Sequence, residues 1–376
     1  MKIIKLSIDA LEIPFIERFR HSLKDRTFSD SVIVRVETDT GHVGYGEGVP
    51  RPYVTGETVH SVVQHITGVL WPQISNEMIH SRSIVELLMR LVPLSNLGEN
   101  HNAARCAVET ALIDASLKGD AIGLHDILPA RLPFVTYSGV ITAGSPKSVY
   151  KRASQLKRIA LNHVKIKVGV HNAIECVAAA REALGEQVVI RVDANSSWSL
   201  KEAIEILHAL NRYRVSSCEE PLPAREWKQL AMLRQATSIP LMADESLLSI
   251  EDAQSMVDHQ AIDLFNIRLS KCGGIGPSLR IIDFARKNNI GYQIGAHVGE
   301  TAILSSIGRH FAAYVGDAQF VEGSYGTLLL TEDIARTSPR FGHKGVGRLI
   351  KGHGIGVKIL EERIIKYSVL HLDLMP

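Results

Sequence analysis

Very little in this sequence could staple the chain together. Its 376 residues contain four cysteines, Cys106, Cys176, Cys218 and Cys272, scattered and with no CxxC pair. In a chain of this length they read as reduced thiols of a cytoplasmic protein, which excludes a disulfide frame and a thiolate zinc site. Charge of one sign is also missing. Forty-two Lys and Arg against 40 Asp and Glu leave +2, no field for holding nucleic acid or an anionic membrane. No uncharged apolar run approaches the roughly 18 residues that suggest a membrane helix. Met1 opens directly into the alternating stretch Lys2 to Leu11, so no secretory leader is expected. What remains is an ordinary globular composition, 45% hydrophobic and 22% charged. It suits two domains, or one large barrel with an elaboration.

Two periodicities divide the chain. Val32–Glu37 and His42–Glu47 alternate around a turn at Thr38–Gly41, a hairpin pattern. From Gly56 to about Gly119 the period becomes helical. It is clearest over Asn102–Lys118, where Ala103, Ala107, Ala111 and Ala115 recur every four residues and allow close packing. Residues 1–128 are therefore expected to form an α+β unit. Beyond Pro133, β-branched runs alternate with helical stretches. Strands are expected at Phe134–Val140, Val164–Val168, Val188–Val192, Ser217–Glu219, Pro240–Ala243, Leu264–Ile267, Tyr292–Ile294 and Gln319–Val321. The helix Leu200–Asn211 shows the style, with Leu200, Ala203, Ile204, Leu207 and Leu210 on one face. Alternating strands and helices favour a parallel sheet, and eight such units close into an α/β barrel over 129–327. The alternative, a doubly wound open sheet, wants a glycine-rich turn after its first strand. Ser138-Gly-Val-Ile-Thr142 has one glycine. In residues 328–376 the basic Phe341–Arg348 reads as a solvated loop, and Ile364–Val369 as a strand returning to the first unit.

From the second onward, each barrel strand ends in an ionisable residue. Lys167, Asp193, Glu219, Asp244, Arg268, His297 and Glu322 follow one another at intervals of 26, 26, 25, 24, 29 and 25 residues. One βα unit has that length, so these side chains fall at equivalent positions around a ring. A lone strand-end carboxylate is usually a helix cap or part of a loop salt bridge. Three consecutive acids in register are different, because they repel unless a cation neutralises them. Asp193, Glu219 and Asp244 supply three hard oxygens, a Mg²⁺-type set in which Mn²⁺ is also possible. Lys165 and Lys167 share one face of their strand. As a structural ion pair they would serve the acids. As a functional pair, desolvation and repulsion would lower one pKa and make a general base.

Val164-Lys-Ile-Lys-Val-Gly169, Val192-Asp-Ala-Asn195, Cys218-Glu-Glu-Pro-Leu222, Ala243-Asp-Glu-Ser246 and Lys271-Cys-Gly-Gly-Ile275 resemble the enolase superfamily, in its muconate cycloisomerase and mandelate racemase branches. The resemblance spans nearly the whole chain, including Gly41–Glu47 and Tyr53–Glu57. It implies a (β/α)7β barrel under an N-terminal capping unit. It also implies Mg²⁺ ligands Asp193, Glu219 and Asp244 with Asn195, Glu245 and Lys271 behind them, Lys167 as base, and Lys165 holding the substrate carboxylate. The implied chemistry is removal of a proton next to a carboxylate, giving an enediolate. Two features depart from the pattern. Arg268 stands where the subgroup has lysine, and His297 ends the seventh strand as in the racemase branch, without the aspartate that branch pairs with it. As an arginine, Arg268 should hold a carboxylate and keep His297 neutral.

Glu322 stands in the place of the cycloisomerase acid, and the paired aspartates typical of dipeptide epimerases are absent. The loops Glu17–Ser29 and Pro50–Glu57 would choose the substrate. Their Arg18, Arg20, His21, Lys24, Arg26, Arg51 and Tyr53 suggest a polar, multiply anionic carboxylate. The expected activity is a cycloisomerase or a lyase of the dehydratase kind. The alternatives are a racemase or epimerase using Lys167 and His297, and a metal-binding barrel without turnover. No partner beyond a small carboxylate and further copies of the chain, as a dimer or octamer, is expected.

Overall fold

The computed structural model describes residues 1–20, 25–80 and 101–376, with residues 18–20 and 25 described by backbone alone. The N-terminal unit is built on an antiparallel sheet of β1 (Ile3–Leu11), β4 (Val32–Thr38) and β5 (Val43–Gly48), preceded along one edge by β16 (Ser368–Leu374). A small hairpin, β2 (Pro14–Arg20) with β3 (Asp25–Phe28), stands beside it. The turn between β4 and β5 closes with Gly41 N donating to Thr38 O at 2.9 Å.

Behind this sheet lies the helix Asn102–Gly119, almost wholly buried. Gly44, Gly46 and Gly48, on one face of β5, press against its alanine row. A Cβ on any of them would collide with the backbone of Ala111 and Ala115, Ala107, or Ala103. Two strand residues advance about 6.7 Å and four helical residues about 6 Å, so glycines two apart match alanines four apart. The alanine row was legible in the sequence; its glycine counterpart was overlooked.

The second sheet is parallel and eight-stranded, in the order β14-β13-β12-β11-β10-β9-β8-β7. Its strands are β7 (Gly139–Ile141), β8 (His163–Lys167), β9 (Val189–Asp193), β10 (Val215–Glu219), β11 (Leu241–Ala243), β12 (Leu264–Ile267), β13 (Gly291–Ile294) and β14 (Phe320–Val321). An α-helix follows each of the first seven, and only a short 3₁₀ turn, Gly326–Leu328, follows β14. This is the (β/α)7β order. Ser138 N donating to Val321 O at 2.8 Å joins the two ends of the curled sheet.

Three expectations are corrected. The first barrel strand is not one run over Phe134–Val140. β6 (Phe134–Thr136) pairs antiparallel with β15 (Val346–Arg348), and the chain then bends at Tyr137 and Ser138 into β7. The reason is competition for backbone partners: Tyr137 N donates to Gly345 O at 2.8 Å, while Ser138 N turns to β14. For the same reason Phe341–Arg348 is not simply a solvated loop. Phe341 stacks on Tyr137, ring centres 5.3 Å apart, and buried Arg309 donates to the carbonyls of Arg340 and Arg348. Near the end, Ile364–Tyr367 belongs to the helix Glu361–Tyr367, and the strand that pairs with β1 starts at Ser368. In the helix Leu200–Leu210, Ile206 joins Ala203, Leu207 and Leu210 in the core, and Leu200 and Ile204 pack against it partly buried. Among the described residues no helix is long and apolar enough to cross a membrane.

Candidate active site

Parallel pairing sets the site. Lys167 lies opposite Asp193, and Asp193 opposite Glu219, in adjacent strands. Asp244 follows β11 by one residue and Arg268 follows β12 by one residue. Alternation turns Lys165 and Lys167 to the same inner face, where both are buried. A cavity of about 340 Å³ opens above them, lined by Lys165, Lys167, Asn195, Glu245, Arg268, His297 and Glu322, with Arg51 and Tyr53 on the N-terminal side.

The contacts form one charge lattice. Lys167 Nζ lies 2.8 Å from Asp193 Oδ2 and 2.7 Å from Asn195 Oδ1. Lys165 Nζ lies 2.8 Å from Glu322 Oε2 and 3.1 Å from Glu219 Oε2. The Arg268 guanidinium bridges Asp244 and Glu219, the latter at 3.4 Å. Lys271 Nζ lies 3.0 Å from Asp244 Oδ1, and Asn195 donates to Glu245 at 3.2 Å. Thus side-chain cations already hold the three acids that the sequence marked as repelling one another.

Burial alone would raise the pKa of every carboxyl here. At Asp193 the two lysines, Lys167 first, outweigh it and hold the carboxyl well below its usual range. Arg268 and Lys271 do the same for Asp244. Burial wins at Glu219, which Lys165 pulls down but Asp193 and Asp244 push back up, to about 7. At Lys165 burial is overridden by Glu219, Glu322 and Asp193, and the ammonium is held above its ordinary value. The expectation that desolvation and repulsion would lower a lysine therefore fails at Lys165, because acids rather than lysine neighbours dominate its surroundings. His297 goes the other way. Burial, then Arg268 and Arg51, hold its imidazole neutral, well below the ordinary histidine value.

Asp193, Glu219 and Asp244 offer all-oxygen, buried donors on neighbouring strands, and Glu245 Oε2 has no hydrogen-bond partner among the described residues. That chemistry fits Mg²⁺ or Mn²⁺ and not zinc. As the side chains stand, no three His, Cys, Asp or Glu side chains among the described residues converge on one ion position. A metal here has to share oxygens with Lys167, Arg268 and Lys271.

The expected substrate cations fare differently. His21 and Lys24 lie outside the described residues, and the side chains of Arg18 and Arg20 likewise. Tyr53 lines the cavity. Arg26 and Arg51 are buried, and both guanidiniums bind Asp30 and the Val298 carbonyl. These two are already bonded within the protein, so they do not by themselves argue for a multiply anionic substrate. Several residues were missed. Arg191 donates to Glu322 and Ser138 beneath the site, at 2.9 and 3.0 Å. Its signal was present, since Arg191 is two residues before Asp193 and alternation turns both inward. Asn266 donates to Glu219 at 2.8 Å. Glu220 accepts from the backbone of Asp244 and Ser246, holding the turn that carries Asp244. Asn266, two residues before Arg268, carried the same signal, whereas no spacing distinguishes Glu220.

The N-terminal part of the chain, residues 13–128, matches the mandelate racemase / muconate lactonizing enzyme N-terminal domain, and residues 149–363 match the enolase C-terminal domain-like family. A D-Ala-D/L-Ala epimerase of Cytophaga hutchinsonii is 30% identical over 80% of this chain and 79% of that protein. A dipeptide epimerase from the same organism, in a crystal structure with Mg and the dipeptide D-Ala-L-Val, covers 99% of this chain and 100% of its own at a TM-score of 0.88 and 26% identity. An N-succinyl-L-Arg/Lys racemase of Bacillus cereus is 28% identical over 98% of each chain. The crystal structure of an N-succinyl Arg/Lys racemase from B. cereus superposes over the whole of both chains at a TM-score of 0.92 and 27% identity. Muconate cycloisomerase 1 of Rhodococcus opacus is 25% identical over 96% of each chain. Epimerases and racemases thus stand ahead of the cycloisomerase, reversing the order of preference drawn from the eighth strand. Fold, strand-end residues and matched family models agree that this chain belongs to the mandelate racemase/muconate lactonizing enzyme family of the enolase superfamily.

Proposed function

We propose that this protein racemises or epimerises an α-amino-acid derivative, moving the proton on the carbon next to its carboxylate. The observation that carries this reading is the shared cavity of Lys167 and a neutral His297. Arg268 cannot serve as the second base, because a guanidinium is not deprotonated in proteins. A neutral imidazole can. His297 takes the proton from one face, the electron pair of the broken C–H bond moves onto the carboxylate, and the Lys167 ammonium returns a proton to the other face. The reverse direction uses the opposite protonation states. Lys165 and Arg268 hold the substrate carboxylate, and Glu322, ion-paired with Lys165 and Arg191, fixes Lys165. Bound at Asp193, Glu219 and Asp244, Mg²⁺ or Mn²⁺ supplies Lewis-acid stabilisation of the charge that develops on the carboxylate.

Part of the cavity lining is apolar, with Ile16, Val54, Val140, Leu328 and Leu329, beside Thr142 and the exposed Glu17–Arg152 pair. A substrate with an apolar remote half suits it. Dipeptides and N-succinyl amino acids, the compounds named for the relatives, form the panel to try first in D₂O, with α-hydrogen exchange read by NMR. No exchange with any member would remove the reading. A second reading, elimination or cycloisomerisation on one face, is favoured by Arg268 in the lysine position. It predicts deuterium entering with a single configuration. The four free, buried thiols suit a reducing cytoplasm, and assembly as a homo-oligomer belongs to the same proposal.

A further inference from the structure

Among the described residues no hydrogen bond to the ring aims His297. The residue is 3% exposed, and its Nε2 has no hydrogen-bond partner among the described residues. The backbone around it is held instead. His297 N donates to Glu300 Oε1 at 2.6 Å. The Val298 carbonyl accepts from Arg26 Nη1 at 3.1 Å and from Arg51 Nη2. The next carbonyl, that of Gly299, accepts from Ser29 Oγ at 2.7 Å and Ser31 Oγ at 3.3 Å. Both guanidiniums are in turn fixed on Asp30. Gly299 has φ +94°, a backbone that side chains strain to adopt, and a Cβ there would crowd Ser29 Oγ at 3.1 Å.

All four donors to these two carbonyls come from the N-terminal unit. Arg26, Ser29 and Ser31 stand outside the described lining of the cavity. Buried hydroxyls and guanidiniums are costly to order unless they bond something, and here two consecutive carbonyls beside His297 receive them.

We propose that Arg26, Ser29 and Arg51 are positioning residues that grip the Val298 and Gly299 carbonyls and thereby aim His297 at the substrate. The N-terminal unit then governs proton transfer on one face of the substrate through a backbone it holds, with Arg26 and Ser29 themselves outside the cavity lining. The inference rests on His297 being the second base, so its test must separate the two. A displacement of about 1 Å in such a group costs about 100-fold in rate.

The test compares wild type, Ser29→Ala, Arg26→Met and Arg26→Lys in D₂O, each enantiomer of a turned-over substrate being followed separately. Hydrogen exchange of the segment 294–301 is read by mass spectrometry on the same full-length proteins. Expected is a loss of about tenfold or more on the His297 face, with the Lys167 face and KM within about twofold. Arg26→Lys, which keeps one donor, should recover part of the loss. Segment 294–301 should exchange faster in Ser29→Ala and Arg26→Met. Equal losses on both faces, or a change in KM alone, would overturn the proposal. If the wild type exchanges on the Lys167 face only, the reading of His297 as a base fails. The grip is then judged by the segment alone, faster exchange upholding it and unchanged exchange refuting it.

Discussion

Buried acids occur in two regions of this molecule and meet different donors. At the barrel rim Asp193, Glu219, Asp244 and Glu322 face side-chain cations. Where the N-terminal unit meets the barrel, Glu47, Glu57 and Glu109 face backbone N–H groups at helix starts. Glu47 accepts from Thr301 N at 2.8 Å and Leu304 N at 3.0 Å. Glu57 accepts from Ala103 N at 2.8 Å, and Glu109 from Gly276 N at 3.0 Å. These amides are otherwise unsatisfied donors of the first helical turn, and the helix dipole favours an anion there. Fixed amides hold an acid in place but do not fully replace water, so burial lifts Glu57 to about 8. Full charges do more at Asp193, where Lys167 and Lys165 carry the carboxyl below its usual range. The donors, side-chain cations at the rim and backbone amides at the seam, distinguish the two regions, while burial still lifts Glu219 at the rim to about 7.

Breaking the rim should cost most. Asp193→Asn leaves the Lys167 ammonium buried without its counter-ion, a loss of about 3–5 kcal/mol of stability. Turnover and Mg²⁺ binding should both disappear, and denaturant unfolding with calorimetry checks the two together. A variant as stable as wild type would mean that the lattice holds no net stability. At the seam the effect should be smaller. Glu109→Ala strands the Gly276 N–H at a helix start and should cost about 1–2 kcal/mol while leaving Mg²⁺ affinity unchanged. A loss of metal affinity in that variant would erase the distinction between the regions.

A third effect is one of slope. Glu57 titrates near 4.5 when unfolded and at about 8 in the fold. The folded state binds the extra proton, so this contribution is present below about pH 4.5 and is lost as pH rises towards 8. Glu57→Gln should flatten the decline of melting temperature across that window. Asp193 runs in the opposite direction, because its folded pKa is depressed. Its contribution is present above the ordinary value of 3.8 and is lost as pH falls through the folded value. Parallel pH profiles for wild type and Glu57→Gln would contradict the assignment at the seam.

Local period made much of this legible. The β4–β5 hairpin, the alanine row and the strand-end ring all follow from spacing and alternation, and the structure places Lys165, Lys167, Asp193, Glu219, Asp244, Arg268, His297 and Glu322 around one cavity wall or beneath it. What was misread depends on contacts between distant segments. Phe341–Arg348 is basic, as a solvated loop would be, yet β6 claims its backbone. Arg26 and Arg51 look like substrate cations until Asp30 and the Val298 carbonyl are placed against them. Lys165 carries two possible pKa directions in the sequence, because only the fold shows that three acids surround it.

The central claim is two-faced proton transfer by Lys167 and His297, and D₂O exchange on both enantiomers of one substrate tests it most directly. Wild type should incorporate deuterium from either enantiomer and interconvert them. Lys167→Ala and His297→Asn should each abolish interconversion, by about 100-fold or more, with each enantiomer's exchange failing in a different variant. Interconversion that survives in His297→Asn, or a wild type that exchanges one enantiomer only, would contradict it.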